Sequence, residues 1–446
     1  MQVPNALTCK LAHSQTCKQR TMTNSHNYPS STTIHRETLP NGITVLVYER
    51  PGSQSVTVEG YLLAGALAET AEFSGLANLT AVSLMRGSQN YSFDDIYEKL
   101  EAVGADLSIS SGYHLTSFSA QSLTEDADLV LDLLASVLRQ PTFPEPQLNQ
   151  LKGQIITALQ MRANDTQQMA SRTLRELIYP NHPYGRSQTG TFQSIPSLTV
   201  AHAQQFHANY YGPMGMVICF VGALTPAQAV AKVQQTLGDW HNPAQQALPE
   251  LPELVMVNGR LHHHHVMPDK YQSDIALGRP GPTRAAPDYL AASLMNTVLG
   301  VFGMMGRIGK NVREAQGLAY YAYSSLQGGL GPGAWLAAAG VSPDKVEQAT
   351  SSILDEIARI QNEPVPADEL ANSQAYRIGS LPVGLETSSG LASVITDMEL
   401  YGWGLDYLLQ FPDLVQAITP DDVQAAAQKY LSTEHLGIAI AGPEAE

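Results

Sequence analysis

The chain has 446 residues, of which 43% are hydrophobic and 15% are charged. A chain of this length predicts two or more domains, and its apolar content supplies a sizeable core, which excludes general disorder. Lysine and arginine number 25 against 41 acidic residues, which gives a formal net charge of −16. This balance argues against nucleic acid or an anionic membrane surface as the main partner.

The cysteines and the N-terminal residues indicate where the protein works. Cys9, Cys17 and Cys219 form neither a disulfide framework nor a zinc-binding pattern, so a reducing compartment, the cytoplasm, is expected. No stretch reaches the ~18 consecutive apolar residues of a membrane span, so no span is predicted. Residues 1–33 are polar and lack the apolar segment of a secretory signal. They predict a disordered tail, with organelle targeting as the open alternative.

Strand and helix patterns are mixed along the first half of the chain. An Asn-Gly turn at residues 39–42 leads into an apolar run at 43–48, residues 55–63 alternate, and residues 106–122 predict a hairpin. Helical periodicity covers five further segments, at residues 73–86, 93–102, 125–138, 145–178 and 199–210. Runs of strands combined with runs of helices predict an α+β fold rather than a regular βαβ series.

An internal repeat divides the chain into two related halves. A Thr-capped helix that ends in Tyr, followed by a strand that ends in Gly, occurs twice with a constant offset of 220 residues: Thr199, Tyr210 and Gly222, then Thr419, Tyr430 and Gly442. A second pair, Pro144 and Pro366, follows a long helical pattern in each half. Two homologous domains are the economical explanation.

The domain boundaries follow from this repeat. A proline-rich stretch near residues 242–252 separates the copies and is typical of a linker. We therefore predict an N-terminal domain at residues 34–240, a linker at 241–253 and a C-terminal domain at 254–446.

Residues 75–88 read Gly-Leu-Ala-Asn-Leu-Thr-Ala-Val-Ser-Leu-Met-Arg-Gly-Ser. This segment resembles the zinc helix of the M16 (pitrilysin/insulinase-type) metallopeptidases, which carry Gly-Leu-Ala-His-x-x-Glu-His-x-x-x-x-Gly-Thr. The two metal-binding histidines of that pattern fall on Asn78 and Val82, and its general-base glutamate falls on Ala81. Amide, isopropyl and methyl groups can neither hold zinc nor deprotonate a water molecule. The resemblance therefore implies a peptidase relative without a metal site of its own.

Other segments carry the same resemblance through most of residues 34–446. They lie at residues 39–45, 182–199 and 209–213. Active members have a third zinc ligand, a glutamate on the long helix, and the corresponding positions here lie near residues 156–158. No acidic residue occurs between Glu145 and Asp165. The resemblance implies two homologous LuxS/MPP-like domains, each an antiparallel-rich sheet packed with helices. Residues 73–86 are predicted to form a buried helix with Leu76, Leu79, Val82 and Met85 directed inward.

The second half keeps a motif that the first half lacks. Arg313, Gly317, Leu318 and Tyr320 match the family's Arg-x-x-x-Gly-Leu-x-Tyr motif. In M16 members this Arg and Tyr are placed over the zinc centre of the opposite half or subunit, where they hold the substrate backbone and stabilise the tetrahedral intermediate. The alternative is that Arg313 caps or pairs near a helix end and Tyr320 is an ordinary strand aromatic.

Glycines recur at every third position just before this motif: Gly300, Gly303, Gly306 and Gly309. In non-catalytic processing-peptidase subunits a glycine-rich loop here contacts substrate, so the resemblance implies a substrate-binding role. Tight packing at a helix start is the equal alternative.

Four consecutive histidines, His262, His263, His264 and His265, raise the possibility of a metal site. Side chains of a strand alternate between faces, so at most two share one side, and only Asp269 is a nearby acid. A polar strand next to the linker is the favoured interpretation.

Two hypotheses follow for the function. In the first, the chain is the non-catalytic, substrate-binding subunit of a heterodimeric M16B zinc peptidase that degrades or processes unfolded peptides. Its partner would carry His-x-x-Glu-His and the zinc, and this chain would bind no cofactor. In the second, the chain is a homodimeric pseudo-peptidase that acts as a structural or peptide-binding scaffold.

Overall fold

The structure, a computed structural model, describes residues 28–444. Eleven strands are present in this range: β1 Ile34–Thr38, β2 Thr44–Glu49, β3 Ser55–Leu62, β4 Asp106–Ser111, β5 Thr116–Leu123, β6 Val217–Gly222, β7 Arg260–Val266, β8 Ser273–Pro280, β9 Ala319–Leu326, β10 Ala334–Val341 and β11 Leu436–Gly442.

The helices of the same range occupy both halves. They are α1 Leu76–Ser83, α2 Phe93–Ala102, α3 Ala127–Arg139, α4 Glu145–Ala163, α5 Thr166–Ile178, α6 Ser194–Ser197, α7 Val200–Tyr210, α8 Pro226–Leu237, α9 Tyr289–Gly300, α10 Phe302–Ile308, α11 Val346–Asn362, α12 Ala367–Gly384, α13 Ser388–Leu400, α14 Tyr407–Gln416 and α15 Pro420–Tyr430. A π-helical segment, Gly309–Ala315, follows α10.

Each half forms its own sheet. The first has six strands in the order β1-β2-β6-β3-β5-β4, and the second has five in the order β7-β11-β8-β10-β9. All neighbours pair antiparallel except β2 with β6 and β7 with β11. The predicted α+β fold with two antiparallel-rich sheets packed against helices is confirmed.

The repeat predicted from the sequence is present in the structure. Thr199 and Thr419 cap α7 and α15 through capping boxes in which each threonine side chain accepts a bond from the third residue of its helix. Gly222 and Gly442 end β6 and β11 with positive φ values of 149° and 158°. At each, an added Cβ would lie 2.3 Å from an atom of the neighbouring strand, which explains why glycine stands at both positions.

Two of the predicted boundaries change. The helix expected over residues 145–178 breaks into α4 and α5, because Asp165 leaves the helical conformation and its side chain accepts a bond from the Gln168 amide. The disordered tail predicted for residues 1–33 ends earlier than expected. Ser31 donates two hydrogen bonds of 2.9 Å, from its backbone amide and its hydroxyl, to Asp406 in the second half. Residues 1–27 lie outside the described range. The predicted linker falls within the strand-free and helix-free connection at residues 238–259.

A helix of the first half covers one face of the second sheet. Helix α5 packs on β8 and β11. Its Leu174 and Ile178 are buried together with Ala276, Ala439 and other small residues of the second half. An added Cβ on Gly437 of β11 would lie 2.8 Å from Ile178, so the sheet presents small residues where the helix approaches.

A helix of the second half likewise covers one face of the first sheet. Helix α13 packs on β3 and β6 of the first sheet. Its Leu391 and Ile395 are buried against Leu46, Val217 and Cys219. The opposite face of each sheet is covered by helices of its own half. Neither sheet therefore has both faces covered without the other half.

We expect this exchange to make the two halves unfold together. Leu174→Ala and Leu391→Ala should each lower the free energy of unfolding by about 2–5 kcal/mol, because both side chains are nearly fully buried. Leu409→Ala, at a side chain that is 48% exposed, is the matched control and should change stability little. Urea unfolding followed by circular dichroism measures this. Two separate transitions, one for each half, would contradict the interpretation.

Candidate functional site

Helix α1 presents a single open face. Asn78 and Val82 are its only two residues that are not buried, and they lie one turn apart on the same side. These are the two positions at which the M16 pattern carries zinc-binding histidines. Of the residues expected to be directed inward, Leu76, Leu79 and Met85 are buried, and Val82 packs against the same core while staying partly exposed.

Position 81, where the M16 pattern carries its general base, is fully buried. Ala81 is 0% exposed, and the neighbouring Thr80 and Leu84 are equally buried. A carboxylate at this position would lose its water, which is costly for a charged group. Position 81 is thus both changed in residue type and enclosed by its neighbours.

The surroundings of α1 do not supply the missing ligands. Helix α4 packs beside α1 and contributes Leu159 together with the partly buried Ile155 and Ile156 to the same core. No group of three or more His, Cys, Asp or Glu side chains within residues 28–444 has a metal-binding arrangement. The donor set of an M16 zinc centre is therefore not matched by the residues of this face.

One carboxylate does lie at α1, at its N-terminus. Glu69 is 8% exposed and accepts bonds from the backbone amides of Gly75 (3.0 Å) and Ala77 (2.5 Å). Burial raises the pKa of Glu69 to about 7, and the two amides and the Arg186 charge offset part of that rise. Glu69 therefore satisfies the free amides of the helix start, where a negative charge is favourable. No sequence pattern indicated Glu69, because it lies outside the helix that it supports.

Arg313 and Tyr320 lie on either side of a sharp turn in the second half. Arg313 belongs to the π-helical segment and forms no ion pair with the described residues. Gly317, with φ of 62°, makes the turn. Tyr320 stands on β9, an edge strand, and is 82% exposed. Tyr320 is thus open to a ligand, and Arg313 is partly buried with its charge unpaired among the described residues.

The four spaced glycines have different surroundings. An added Cβ would lie 2.1 Å from Ser324 at Gly300, 2.5 Å from Gly300 at Gly306, and 2.1 Å from Met304 at Gly309. Close packing accounts for these three positions. Gly303, with φ of 65°, has open space around it. From Gly303 to Gly306 the backbone of α10 departs from helical geometry. This segment forms one wall of a groove, and α11 and α12 form another.

The four histidines form most of β7, an edge strand that pairs in parallel with β11. His262, His263 and His264 are exposed, and a ring nitrogen of His264 lies 3.2 Å from the Gly442 carbonyl oxygen. Polar side chains on an edge strand discourage pairing with another chain.

A two-half α+β fold with a degenerate metal helix and an Arg/Tyr turn defines a member of the M16 peptidase fold. Comparison with known families agrees. Residues 44–191 match the family described as insulinase (peptidase family M16), and residues 197–376 match the one described as peptidase M16 inactive domain. The chain belongs to the M16 family, as the sequence motifs predicted.

Curated relatives are similar over nearly their whole length. An uncharacterized zinc protease of Mycobacterium tuberculosis is 28% identical over 414 residues, covering 92% of this chain and 93% of the relative. One from Streptomyces coelicolor is 26% identical over 417 residues, covering 92% and 90%. The mitochondrial-processing peptidase subunit beta of Saccharomyces cerevisiae is 23% identical over 371 residues and covers 80% of each chain.

Two solved structures have the same fold. A peptidase M16 inactive domain from Pseudomonas fluorescens superposes with a TM-score of 0.85 at 26% identity, covering 92% of this chain and 98% of that one. A protease from Helicobacter pylori gives a TM-score of 0.87 at 18% identity, covering 93% and 100%. No single helix within residues 28–444 is long and apolar enough to cross a membrane, although α9 and the segment after it pass that test as a pair bent by 90°.

The packing of α1 generates a stability prediction. Ala81→Glu should lower the free energy of unfolding by more than about 2 kcal/mol, because it buries an unpaired carboxyl group. Asn78→His and Val82→His, at the partly exposed positions of the same helix, are the matched controls and should cost less than about 1 kcal/mol. Chemical denaturation measures the three variants. An Ala81→Glu protein as stable as the wild type would disprove the closed packing.

Glu69 generates a pH prediction. The folded protein keeps this proton up to about pH 7, whereas a carboxyl with the ordinary value of 4.5 has already released it. Stability should therefore fall as pH rises from about 4.5 to about 7, by about 2 kcal/mol from this group. Glu69→Gln should flatten that part of the curve, and Glu72→Gln, at an exposed residue of the same loop, should not. Denaturation at pH 5 and pH 7.5 compares each variant with the wild type, which removes the contribution of other groups.

Proposed function

We propose that this chain is the non-catalytic, substrate-binding subunit of a two-chain M16B zinc peptidase that acts on unfolded peptides. One observation carries the proposal. The open face of α1 consists of Asn78 and Val82, which cannot bind zinc, whereas Arg313 and Tyr320 remain accessible and unengaged by ion pairs in the described structure. Half of an M16 active site is lost and the complementary half is kept.

The lost half explains why the chain should not cleave peptides alone. M16 hydrolysis needs a metal to polarise the scissile carbonyl and a carboxylate to deprotonate the attacking water. Position 81 is a buried alanine, and α4 offers aliphatic side chains where the third ligand would stand. Zinc is therefore expected in the partner, which would carry His-x-x-Glu-His, and this chain is proposed to bind none.

The retained half has a chemical role to play. A guanidinium such as Arg313 can donate paired hydrogen bonds to the carbonyl oxygens of an extended peptide. The phenol of Tyr320 can donate to the oxyanion that develops during attack on a peptide bond. An accessible aromatic at a strand edge can reach a neighbouring subunit, which a buried one cannot. The named relatives are zinc proteases and a processing-peptidase subunit, which supports the assignment.

A partner subunit follows from the same reasoning, because a peptidase centre needs the missing ligands from another chain. The competing hypothesis, a homodimer that only holds peptides or serves as a scaffold, differs in one measurable respect: it never stimulates cleavage. The expected cytoplasmic location stays a prediction.

Reconstitution tests the proposal. The chain should be purified alone and together with a His-x-x-Glu-His chain from the same cell, and each preparation assayed for zinc by elemental analysis and for cleavage of a fluorogenic peptide. We expect negligible zinc and cleavage from this chain alone, and zinc-dependent cleavage from the pair. Within the pair, Arg313→Ala and Tyr320→Phe should each reduce kcat by about 10² or more.

Two control variants separate this role from general damage. Arg260→Ala lies on β7, at the opposite edge of the same sheet from β9, and Tyr271→Phe lies in the loop after it, where the side chain is 97% exposed. Neither should alter the activity of the pair. Zinc-dependent cleavage by this chain alone would contradict the proposal, as would full activity of a pair that carries both Arg313→Ala and Tyr320→Phe. A stable homodimer that binds peptide but stimulates no partner would support the scaffold instead.

A further inference from the structure

A cleft of about 340 Å³ lies between the two halves of the molecule. The end of α4, one face of α5 and the loop at residues 185–189 form one side. Strands β9 and β10 of the second half form the other, through Tyr323, Ser325, Gln327, Ala334 and Leu336. The cleft is thus bounded by the edge strand that also carries Tyr320.

The charge in this cleft is opposite to that of the protein. Acidic residues outnumber basic ones by 41 to 25 in the chain. Among the described residues that line the cleft there are four arginines and no aspartate or glutamate. The arginines are Arg162, Arg172, Arg175 and Arg186. Charges of one sign that line a cleft with low-dielectric walls concentrate the opposite charge there.

Three of the four arginines are held by hydrogen bonds to uncharged acceptors. Arg162 donates to Thr189 Oγ1 (2.7 Å), Arg175 to Gln327 Oε1 (3.0 Å) and Arg186 to the Glu69 carbonyl oxygen (2.7 Å), all of them uncharged acceptors. Of these four arginines, only Arg172 forms an ion pair within residues 28–444, with Glu176 at 2.9 Å. The Arg186 charge also acts on the Glu69 carboxyl group, whose pKa it lowers. A guanidinium has five N–H donors, so each arginine keeps donors for a ligand.

The edge strand determines which parts of a ligand enter the cleft. Tyr323 and Ser325 of β9 are two residues apart and face the cleft, and Gln327 continues the series. In the described residues β9 pairs only with β10, which leaves its outer edge open. An extended peptide that pairs with this edge places every second side chain on the Tyr323 face, toward the arginines.

We propose that the cleft selects extended peptides with aspartate or glutamate at alternate positions. Guanidinium groups bind carboxylates through paired charge-assisted hydrogen bonds, and the alternation follows from the period of a strand. The open edge of β9 favours a peptide over a free small anion, and the net charge of the chain opposes a nucleic acid. The inference rests on the proposed substrate-binding function and names the class of peptide that it takes.

Peptide binding to the isolated chain tests this without any partner. Fluorescence anisotropy would compare short Thr/Ser-rich peptides with Glu, Gln or Lys at alternate positions, and one with the same number of Glu residues in consecutive positions. We expect the alternate-Glu peptide to bind about tenfold or more tightly than the alternate-Gln peptide at one fixed ionic strength. The alternate-Lys peptide should bind most weakly, and the consecutive-Glu peptide should fall between.

Charge-removing variants identify the cleft. Arg162→Gln combined with Arg175→Gln should weaken binding of the alternate-Glu peptide about tenfold and leave the alternate-Gln peptide unchanged. Arg260→Gln, on the opposite edge of the same sheet, is the matched control and should leave both unchanged. Thermal unfolding of each variant checks that the fold is retained. If the double variant does not fold, Arg162→Gln with Arg172→Gln replaces it, since both of these side chains are exposed.

Several outcomes would overturn the inference. Equal binding of the alternate-Glu and alternate-Gln peptides would contradict selection by charge. Equal binding of the alternate-Glu and consecutive-Glu peptides would contradict binding as an added strand. Inorganic phosphate that displaces the peptide at the peptide's own concentration would indicate a small-anion site instead. These results are independent of partner activation through Arg313 and Tyr320, so the proposed function and this inference can fail separately.

Discussion

The exchange of α5 and α13 between the two halves is the contact on which the rest of the structure depends. Each sheet buries one face under helices of its own half and the other under a helix from the opposite half. Because burial of apolar surface is the main stabilising contribution to folding, neither half has a complete core alone. The exchange also fixes the orientation of the halves, and thereby places α4 and α5 opposite the edge strand β9 to form the cleft.

Two different kinds of change separate helix α1 from the M16 zinc-helix pattern. Asn78 and Val82 occupy the open face of α1, so restoring ligands there is a matter of side-chain chemistry. Ala81 is enclosed by the core, so restoring the base would also require repacking. The start of the helix, in contrast, is well supported, since Glu69 accepts two of its free amides. The helix therefore has a structural role that does not depend on metal binding.

The distribution of charge complements this picture. The protein is acidic as a whole, yet the surface between its halves is basic and lies next to a strand edge that no other described strand pairs with. Main-chain pairing along an edge tolerates many sequences, and the side chains around it set the preference. The proposed role, a subunit that binds peptides for a partner, requires this combination of tolerance and preference.

The sequence by itself determined the family, the two homologous halves, most helices and strands, and the loss of the zinc ligands. These depend on local signals: capping threonines, alternating strands, and residue types at fixed spacing, as at Thr199 and Thr419. Only the tertiary structure decided that helices are exchanged, that Ala81 is enclosed while Val82 is partly open, and that Arg162 and Arg186 meet in one cleft. These features depend on contacts between residues far apart in the chain, which periodicity and spacing do not encode.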